Sequence, residues 1–254
     1  MKIVIIGTGN VARVLGSMLL QANHTILQVF GRSQQMLNEC SDILHAAPIT
    51  DLSEINKEAE VCIIAISDGA IPSIATQLHL PNTILVHTSG GVAIDVLNKH
   101  SRYGVLYPLQ SLRKELPYIP KVPLFVDGSS GEVKATIAAL AKTISAEVHF
   151  ANDEERLKLH VAAVFCSNFT NHLFALANAF CNKEQLHFNY LMPLMEETVH
   201  RMQFNAPVHL QTGPAIRRDE VTIQRHLEIL QSYPLLASVY TMLTQSIQKW
   251  DAKS

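Results

Sequence analysis

The stretch KIVIIGTGNVA, residues 2–12, decides the fold of this chain of 254 residues. An apolar strand pattern runs directly into GTGNVA, which fits GxGxxA, and a helical pattern follows to about Gln21. In such a strand–turn–helix unit, Gly7 permits the tight turn, Gly9 lets the backbone approach a pyrophosphate, and Ala12 lets the helix pack closely on the strand. The anion then rests on free N–H groups at the helix N-terminus, unless the motif is only a glycine turn without a ligand. The predicted cofactor-binding residues of this motif are Gly7, Thr8, Gly9, Asn10, Val11 and Ala12.

Short apolar runs alternate with helical patterns up to about residue 150. The run Val61–Ile66 is apolar throughout, which is typical of a strand covered on both faces. Asp51 with Glu54, and Ser129 with Glu132, have the spacing of capping boxes and predict helix starts. Strand–helix alternation predicts an α/β, Rossmann-like, doubly wound and mostly parallel sheet. The predicted strands are Lys2–Ile6, Thr25–Phe30, Val61–Ile66, Thr83–His87, Gly104–Tyr107, Val122–Val126 and Glu147–Phe150.

Strand signals stop after residue 150. Asn152 with Glu155 forms another capping box, which opens a long helix to about Cys181. In part of this predicted helix, apolar residues occupy most of the circumference, so that part must be covered by other elements on several sides. We therefore predict a Rossmann-like nucleotide-binding domain over residues 1–151 and an all-helical substrate and dimerisation domain over residues 152–254. The other predicted helices are Asn189–Phe204, Asp219–Gln231 and Pro234–Trp250.

The end of the second predicted strand indicates which nucleotide binds. No carboxylate occurs between Thr25 and Asn38, where an NAD site would place one for the ribose hydroxyls. Arg32 can stack on adenine and pair with a 2′-phosphate, and Ser33 can donate to that phosphate, which predicts NADP(H). The alternative is a solvated Arg32 and a Ser33 that only caps the next helix. Two further cofactor-binding residues are predicted after the third strand, Ile66 and Ser67, although Ser67 can equally be a helix cap.

A glycine-rich segment, HTSGG at residues 87–91, follows the fourth predicted strand. Its small hydroxyls and glycines suggest exposed N–H groups that suit a substrate carboxylate or phosphate. A glycine-rich turn without a ligand is the alternative. The predicted substrate-binding residues here are Thr88, Ser89 and Gly90, and the segment from Tyr107 to Ser111 is expected to close the same pocket.

The long helix carries a polar stripe within an apolar surrounding. With α-helical spacing, His160, Val164, Ser167, Asn168, Asn171 and His172 fall on one face. A hydride-transfer site needs a proton donor and an orienting amide, so His160 is the predicted acid/base and Asn168 the orienting group. The alternative is a hydrogen-bonded polar seam between helices or across a dimer. No metal site is predicted, because the two histidines are 12 residues apart without a carboxylate on their face.

Late in the chain, a rigid Thr-Gly-Pro turn precedes two arginines. Arg217 is predicted to pair with a substrate anion, with an interface ion pair or helix-dipole compensation as the alternative. Asp219 is expected to cap the following helix.

Composition excludes several classes of protein. Charged residues make up 17% and the net charge is −2, so neither nucleic acid nor an anionic membrane is expected as a partner. No run of 18 apolar residues occurs, so no membrane span is predicted. The four cysteines have neither CxxC nor zinc-site spacing, which is typical of reduced thiols in a cytoplasmic protein.

Taken together, the motifs resemble the two-domain NADP oxidoreductases of the 6-phosphogluconate-dehydrogenase-type superfamily. The chain is similar to the branch with a Rossmann-like domain followed by a helical domain of unknown function. Pyrroline-5-carboxylate reductases and deazaflavin-dependent NADP reductases are more distant relatives. The resemblance rests on GTGNVA at 7–12, HTSGG at 87–91, YPLQSL at 107–112, LHVAAVFCSN at 159–168 and TGPAIRRD at 212–219. It implies NADP(H) on the first motif and on Arg32 and Ser33, His160 and Asn168 facing the nicotinamide, and a homodimer through the helical domain.

Two positions depart from the pattern of that branch, which has His-Pro at Tyr107-Pro108 and Tyr-His at Leu159-His160. Better-known relatives use a Lys and an Asn one helical turn apart, whereas Lys158 is ten residues from Asn168 and lies off the face of His160. The leading hypothesis is an NADP-dependent oxidoreductase that acts on a small, anionic substrate. The alternative is a non-catalytic NADP(H)-binding sensor or regulatory protein, and a third is a structural dimer without a ligand.

Overall fold

The computed structural model describes residues 1–251 and contains one eight-stranded sheet. The strand order is β3-β2-β1-β4-β5-β6-β7-β8, and every neighbouring pair is parallel except the antiparallel pair β6–β7. This is the Rossmann-like, mostly parallel sheet that the strand–helix alternation predicts. The strands are β1 (Lys2–Ile6), β2 (Thr25–Phe30), β3 (Ala47–Ile49), β4 (Val61–Ile64), β5 (Ile84–His87), β6 (Tyr103–Pro108), β7 (Leu124–Gly128) and β8 (Val148–Phe150).

Helices cover both faces of the sheet, which explains its apolar strands. Ile3 and Ile5 of β1 belong to one buried cluster, together with helices α1 (Asn10–Gln21), α2 (Gln34–Leu44) and α4 (Gly131–Ile144). Val4 and Ile6 alternate to the other face and pack with α3 (Ile71–Gln77). Because neither face meets water, a strand such as β4 has no polar alternation.

Two local predictions need correction. Strand β3 was not predicted from the sequence, because it has only three residues, contains Pro48 and lies at the sheet edge, where proline is tolerated. The cap of α4 is Ser130, whose hydroxyl accepts from Val133 N–H at 3.2 Å, whereas Ser129 Oγ accepts from Tyr103 N–H. The predicted capping role of Ser129 was therefore wrong by one residue.

The chain after β8 is helical, as predicted. Asn152 caps α5 (Asp153–Ala163) with the full capping box, and Asp219 caps α8 (Glu220–Ile229). A π-helical turn, Val164–Phe169, separates α5 from α6 (Thr170–Lys183). A π turn holds more residues than an α turn, so the predicted six-residue stripe on one continuous α-helical face was wrong. The remaining helices are α7 (Met192–His200) and α9 (Pro234–Asp251).

By contacts, the chain divides into two compact units, Met1–Asn168 and the residues from Phe169 onward. The predicted domain boundary at 151/152, and its assignment to separate functions, stay predictions. No helix within residues 1–251 is long and apolar enough to cross a membrane.

Candidate active site

The turn after β1 has the geometry of a phosphate cradle. Gly7 has φ +126°, and a Cβ there would lie 2.1 Å from the carbonyl oxygen of Ala65, so packing demands glycine. A Cβ on Gly9 would meet no atom of the described residues within 4 Å, so their packing does not require this second glycine. Gly9 is the N-cap of α1, where no side chain caps the helix and the first turn has no acidic residue. The first N–H groups of α1 are therefore open to an anion.

Arg13 holds this cradle in place, a role that the sequence analysis missed. Its buried guanidinium donates from Nε to the carbonyl oxygen of Thr8 at 3.1 Å and pairs with Glu39 at 2.9 Å. The turn after β1 is thus tied to α2. A buried arginine on a helix has no distinctive spacing in the sequence, so only the fold reveals it.

A cleft of about 1030 Å³ extends along the carboxyl ends of the strands. Its size is at the upper end of ordinary ligand sites, roughly 300–1,000 Å³. Ala12 does not line it and is buried against the sheet, in keeping with its predicted packing role. The predicted residues that line the cleft are Gly7, Thr8, Gly9, Asn10, Val11, Arg32, Ser33, Ile66, Ser67, Thr88 and Ser89.

Two serines keep exposed hydroxyls in the cleft. Ser33 is the N-cap of α2 and Ser67 the N-cap of a 3₁₀ turn, but neither side chain makes a capping hydrogen bond. Their interpretation as side-chain caps was therefore wrong. Both hydroxyls and the exposed guanidinium of Arg32 remain available to a ligand.

The cleft also contains two carboxylates, Asp68, which follows Ser67, and Asp51, which was not predicted to lie there. Asp51 follows the missed strand β3, which is why its position at this edge was not predicted. Its carboxylate accepts from Ser53 N–H at 2.8 Å, and this hydrogen bond lowers its pKa. Asp51 thus stays charged and already has a backbone partner.

The loop formed by residues 88–92 is internally hydrogen-bonded. Ser89 N–H donates to His87 Nδ1 at 3.2 Å, and Ser89 Oγ accepts from Gly91 and Val92 N–H, both at 3.1 Å. Thr88 N–H donates to a neighbouring strand carbonyl. The expectation that the HTSGG segment, residues 87–91, exposes its N–H groups to a substrate was therefore wrong for Thr88, Ser89 and Gly91.

The buried guanidinium of Arg156 contacts the backbone of this loop. Arg156 of α5 is 1% exposed and donates from Nη2 to the Val92 carbonyl at 2.7 Å and to Asp153 at 2.6 Å. Its Nε and Nη1 have no partner within residues 1–251, and neither has Nε2 of the fully buried His87. Burial, assisted by the Arg156 charge, lowers the pKa of His87 to about 4. His87 is therefore neutral at physiological pH.

His160 meets Tyr107, which comes from β6. The Tyr107 hydroxyl lies 3.1 Å from His160 Nδ1, and the two rings meet edge to face. Tyr107 is also in close contact with Gly90, where a Cβ would lie 2.7 Å from the tyrosine ring. The predicted substrate loop and the predicted acid/base are thus connected through a single side chain.

The other two predicted site residues, Asn168 and Arg217, belong to different units. Asn168 ends the first unit, inside the π turn, is exposed, and makes no side-chain hydrogen bond within residues 1–251. Arg217 is exposed in the second unit, in a turn where Gly213 and Arg218 have positive φ. No group of three potential metal-ligating side chains occurs in the described chain.

Comparison with known proteins identifies the family. The chain is 35% identical to a "putative NADP oxidoreductase" from Bacteroides fragilis, over 98% of both chains, with a TM-score of 0.91. This chain belongs to the same NADP oxidoreductase family. Residues 2–91 match the family model "NADP oxidoreductase coenzyme F420-dependent", and residues 122–247 match a domain of unknown function. No curated protein sequence matches at a significant level.

More distant structures share the fold of this NADP oxidoreductase. A reductive aminase from Aspergillus terreus is 13% identical over 100% of this chain and 94% of that chain, with a TM-score of 0.73. A 1-pyrroline-5-carboxylate reductase from Streptococcus pyogenes is 17% identical over 98% of both chains, with a TM-score of 0.61.

The cofactor of the family is NADP(H), as the sequence predicts, and the residues present fit it. The open backbone at Gly9 and the uncapped N-terminus of α1 suit a pyrophosphate. Arg32 and Ser33 supply a cation and a free hydroxyl at the end of β2, where the 2′-phosphate of NADP is bound in this fold. The resemblance stated from the motifs is thus confirmed for family, fold and cofactor.

Proposed function

We propose that this NADP oxidoreductase transfers hydride between NADP(H) and a small anionic substrate. The observation that carries the proposal is the continuity of the cleft. One cavity includes the cradle from Gly7 to Val11, the 2′-phosphate candidates Arg32 and Ser33, and the loop residues Thr88 and Ser89. In sheets of this kind a ligand crosses the carboxyl ends of the strands, so the nicotinamide end would lie at this loop.

The substrate would occupy the space beside that loop, opposite the nicotinamide. Thr88, Ser89 and Gly90 are its proposed contacts, and His160, connected to Gly90 through Tyr107, is the proposed acid/base. Asn168 is proposed as the orienting amide and Arg217 as an anion-binding residue, both on their sequence patterns.

The proposed negative charge of the substrate is supported by Arg156. Its guanidinium is buried against the loop backbone, and its carboxylate partner within residues 1–251, Asp153, is partly exposed. A buried cation whose counter-ion faces solvent leaves a positive field at the adjacent loop, which favours an anion there.

Nucleotide titration tests the cofactor half of the proposal. We expect Arg32→Ala to weaken NADPH binding tenfold or more, which is about 1.4 kcal/mol, and to weaken NADH binding much less, because NADH shares the adenine but lacks the 2′-phosphate. Lys57→Ala removes an exposed cation from the same sheet domain, away from the cleft lining, and is the matched control. Equal loss of NADPH and NADH affinity would contradict the role of Arg32.

Turnover tests the catalytic half. Cyclic imines and 2-oxo acids, each with and without its carboxylate, would be offered with NADPH, and oxidation of the nucleotide followed. The proposal expects turnover of carboxylate-bearing compounds and a loss of at least about 100-fold in kcat for His160→Gln. Unchanged turnover in that variant would remove His160 from the chemistry.

A non-catalytic NADP(H) sensor is the second candidate. It is favoured by one observation, that neither His160 nor Asn168 lines the cleft that includes the cradle. Tight NADPH binding without turnover of any offered carbonyl or imine would support the sensor over the enzyme.

We further propose that the protein is a cytoplasmic homodimer that associates through its helical unit. Its support is the set of large apolar side chains exposed on α7 and the neighbouring segments. The cysteines within the described chain are all free, as expected in a reducing compartment.

A further inference from the structure

We infer that Tyr107 is a positioning residue that holds His160 in one neutral tautomer, with the ring proton on Nε2. His160 would then present an N–H donor to the substrate site in the resting protein. The tautomer follows from contacts within the first unit alone, and only its use in catalysis rests on the proposed function.

The direction of the Tyr107–His160 hydrogen bond decides the tautomer. Within residues 1–251, His160 Nδ1 at 3.1 Å is the sole partner of the Tyr107 hydroxyl. A protonated phenol with one available acceptor donates to it, because a buried donor without a partner is costly. Nδ1 must then be unprotonated, so the neutral ring carries its proton on Nε2.

The surroundings keep the phenol protonated. Tyr107 is buried, and burial raises the pKa of its hydroxyl. The positive charge of Arg156 opposes part of this increase, and the Asp68 carboxylate raises the pKa by a smaller amount. A tyrosinate could only accept, and the environment of the hydroxyl disfavours that charged form. A neutral phenol that accepted from Nδ1–H would leave its own O–H without a partner within residues 1–251, which is costly for a buried group.

Packing fixes the hydroxyl in position. A Cβ on Gly90 would lie 2.9 Å from Tyr107 Oη, so the backbone of the loop packs closely against the phenol. Arg156 and Asp153 bind the Val92 carbonyl and the Ile94 N–H, which fastens the same loop to the first turn of α5. The loop is therefore hydrogen-bonded to the first turn of α5 and packed against the Tyr107 phenol, and the phenol contacts His160 on the same helix.

Nε2 is the nitrogen left for a ligand. His160 is partly exposed, and its Nε2 makes no hydrogen bond within the described chain. A neutral imidazole N–H can polarise a carbonyl or imine by hydrogen bonding, and its fixed partner at Nδ1 determines which nitrogen does so.

Nitrogen NMR of histidine-labelled protein tests the tautomer without any substrate. The His160 signals are identified by their loss in His160→Gln, and spectra are recorded at mildly alkaline pH. We expect a protonated Nε2 and an unprotonated Nδ1 in the native protein, and a mixture of tautomers in Tyr107→Phe. A protonated Nδ1 in the native protein would overturn the inference, whether or not the variant folds.

Tyr103→Phe is the matched control. Tyr103 lies on the same strand and the same side as Tyr107, and its hydroxyl makes no hydrogen bond within residues 1–251. This control should leave the His160 signals unchanged, and a change equal to that of Tyr107→Phe would count against a specific hydrogen bond.

Kinetics separates the inference from the proposed function. With any substrate found, Tyr107→Phe should lower kcat about tenfold or more while KM for NADPH stays within about twofold, as for other partners that orient a functional histidine. An unchanged kcat in a variant with altered tautomers would overturn the catalytic use of the pair. The expected tautomer without turnover of any compound would uphold the Tyr107 assignment and contradict the proposed function instead.

Discussion

Gly90 lies against the ring of Tyr107 so closely that a Cβ on the glycine would be 2.7 Å from Tyr107 Cζ. The HTSGG segment therefore requires glycine at position 90, because the ring of Tyr107, which comes from β6, occupies the space that a side chain would need. The same tyrosine contacts His160, so one close approach connects the proposed substrate loop with the proposed acid/base.

Gly90→Ala should be destabilising because the new methyl group would overlap an aromatic ring that is already buried. We expect a loss of about 1–3 kcal/mol in the free energy of unfolding, measured by urea denaturation. Gly91→Ala is the matched control, since its Cβ would meet only Asp68 Oδ2 at an ordinary 3.6 Å. Equal stability of the two variants would show that the ring moves aside without cost.

Gly7→Ala and Gly9→Ala should separate packing from ligand binding. Alanine at position 7 is strained by φ +126° and by the Ala65 carbonyl oxygen at 2.1 Å, so we expect a loss of several kcal/mol in stability. Alanine at position 9 meets no protein atom within 4 Å and should cost at most about 1 kcal/mol, as an N-cap change.

Titration with NADPH completes this comparison. Gly9→Ala should lower NADPH affinity at least tenfold, because the methyl group would occupy the approach of the pyrophosphate to the backbone. Native-like affinity in a stable Gly9→Ala protein would show that the pyrophosphate does not lie on this turn.

His87 should make stability depend on pH below neutrality. Burial lowers the pKa of folded His87 to about 4, whereas an unfolded histidine has a pKa near 6.5. The unfolded chain thus binds the proton more readily, and the stabilisation is fully present above pH ~6.5. It is lost as the pH falls towards about 4, by roughly 3 kcal/mol in total.

Urea midpoints measured across this pH range check the prediction. His87→Gln should flatten the profile, even if it lowers stability at every pH. His79→Gln, which changes an exposed histidine on the same domain, should retain the native slope. A native slope in His87→Gln would assign the pH dependence to other groups.

The proposed dimer should depend on the exposed apolar side chains of α7. Leu194 and Val199 are 60% and 59% exposed on this short helix, which is unfavourable unless another surface covers them. We expect sedimentation velocity to give a dimer for the native protein and a monomer for the double variant Leu194→Glu/Val199→Glu. Glu196→Gln, on the same helix, should remain dimeric, and a native monomer would contradict the proposal outright.

The sequence by itself determined the fold, the family and the cofactor. Residues 2–12 specify strand, turn and helix locally, because glycine conformations and apolar periodicity depend on neighbours along the chain. The choice of NADP(H) followed from Arg32 and Ser33 for the same reason, since both lie in the short turn after a strand whose end is visible in the sequence.

Only the tertiary structure decided which side chains meet. Tyr107 and His160 are 53 residues apart, and Arg156 reaches the Val92 carbonyl across 64 residues, distances over which no spacing rule applies. The π turn at Val164–Phe169 likewise breaks the repeat from which a single polar face was predicted. Partners of this kind are set by strand order and loop packing, which satisfy buried polar groups between elements distant in the chain.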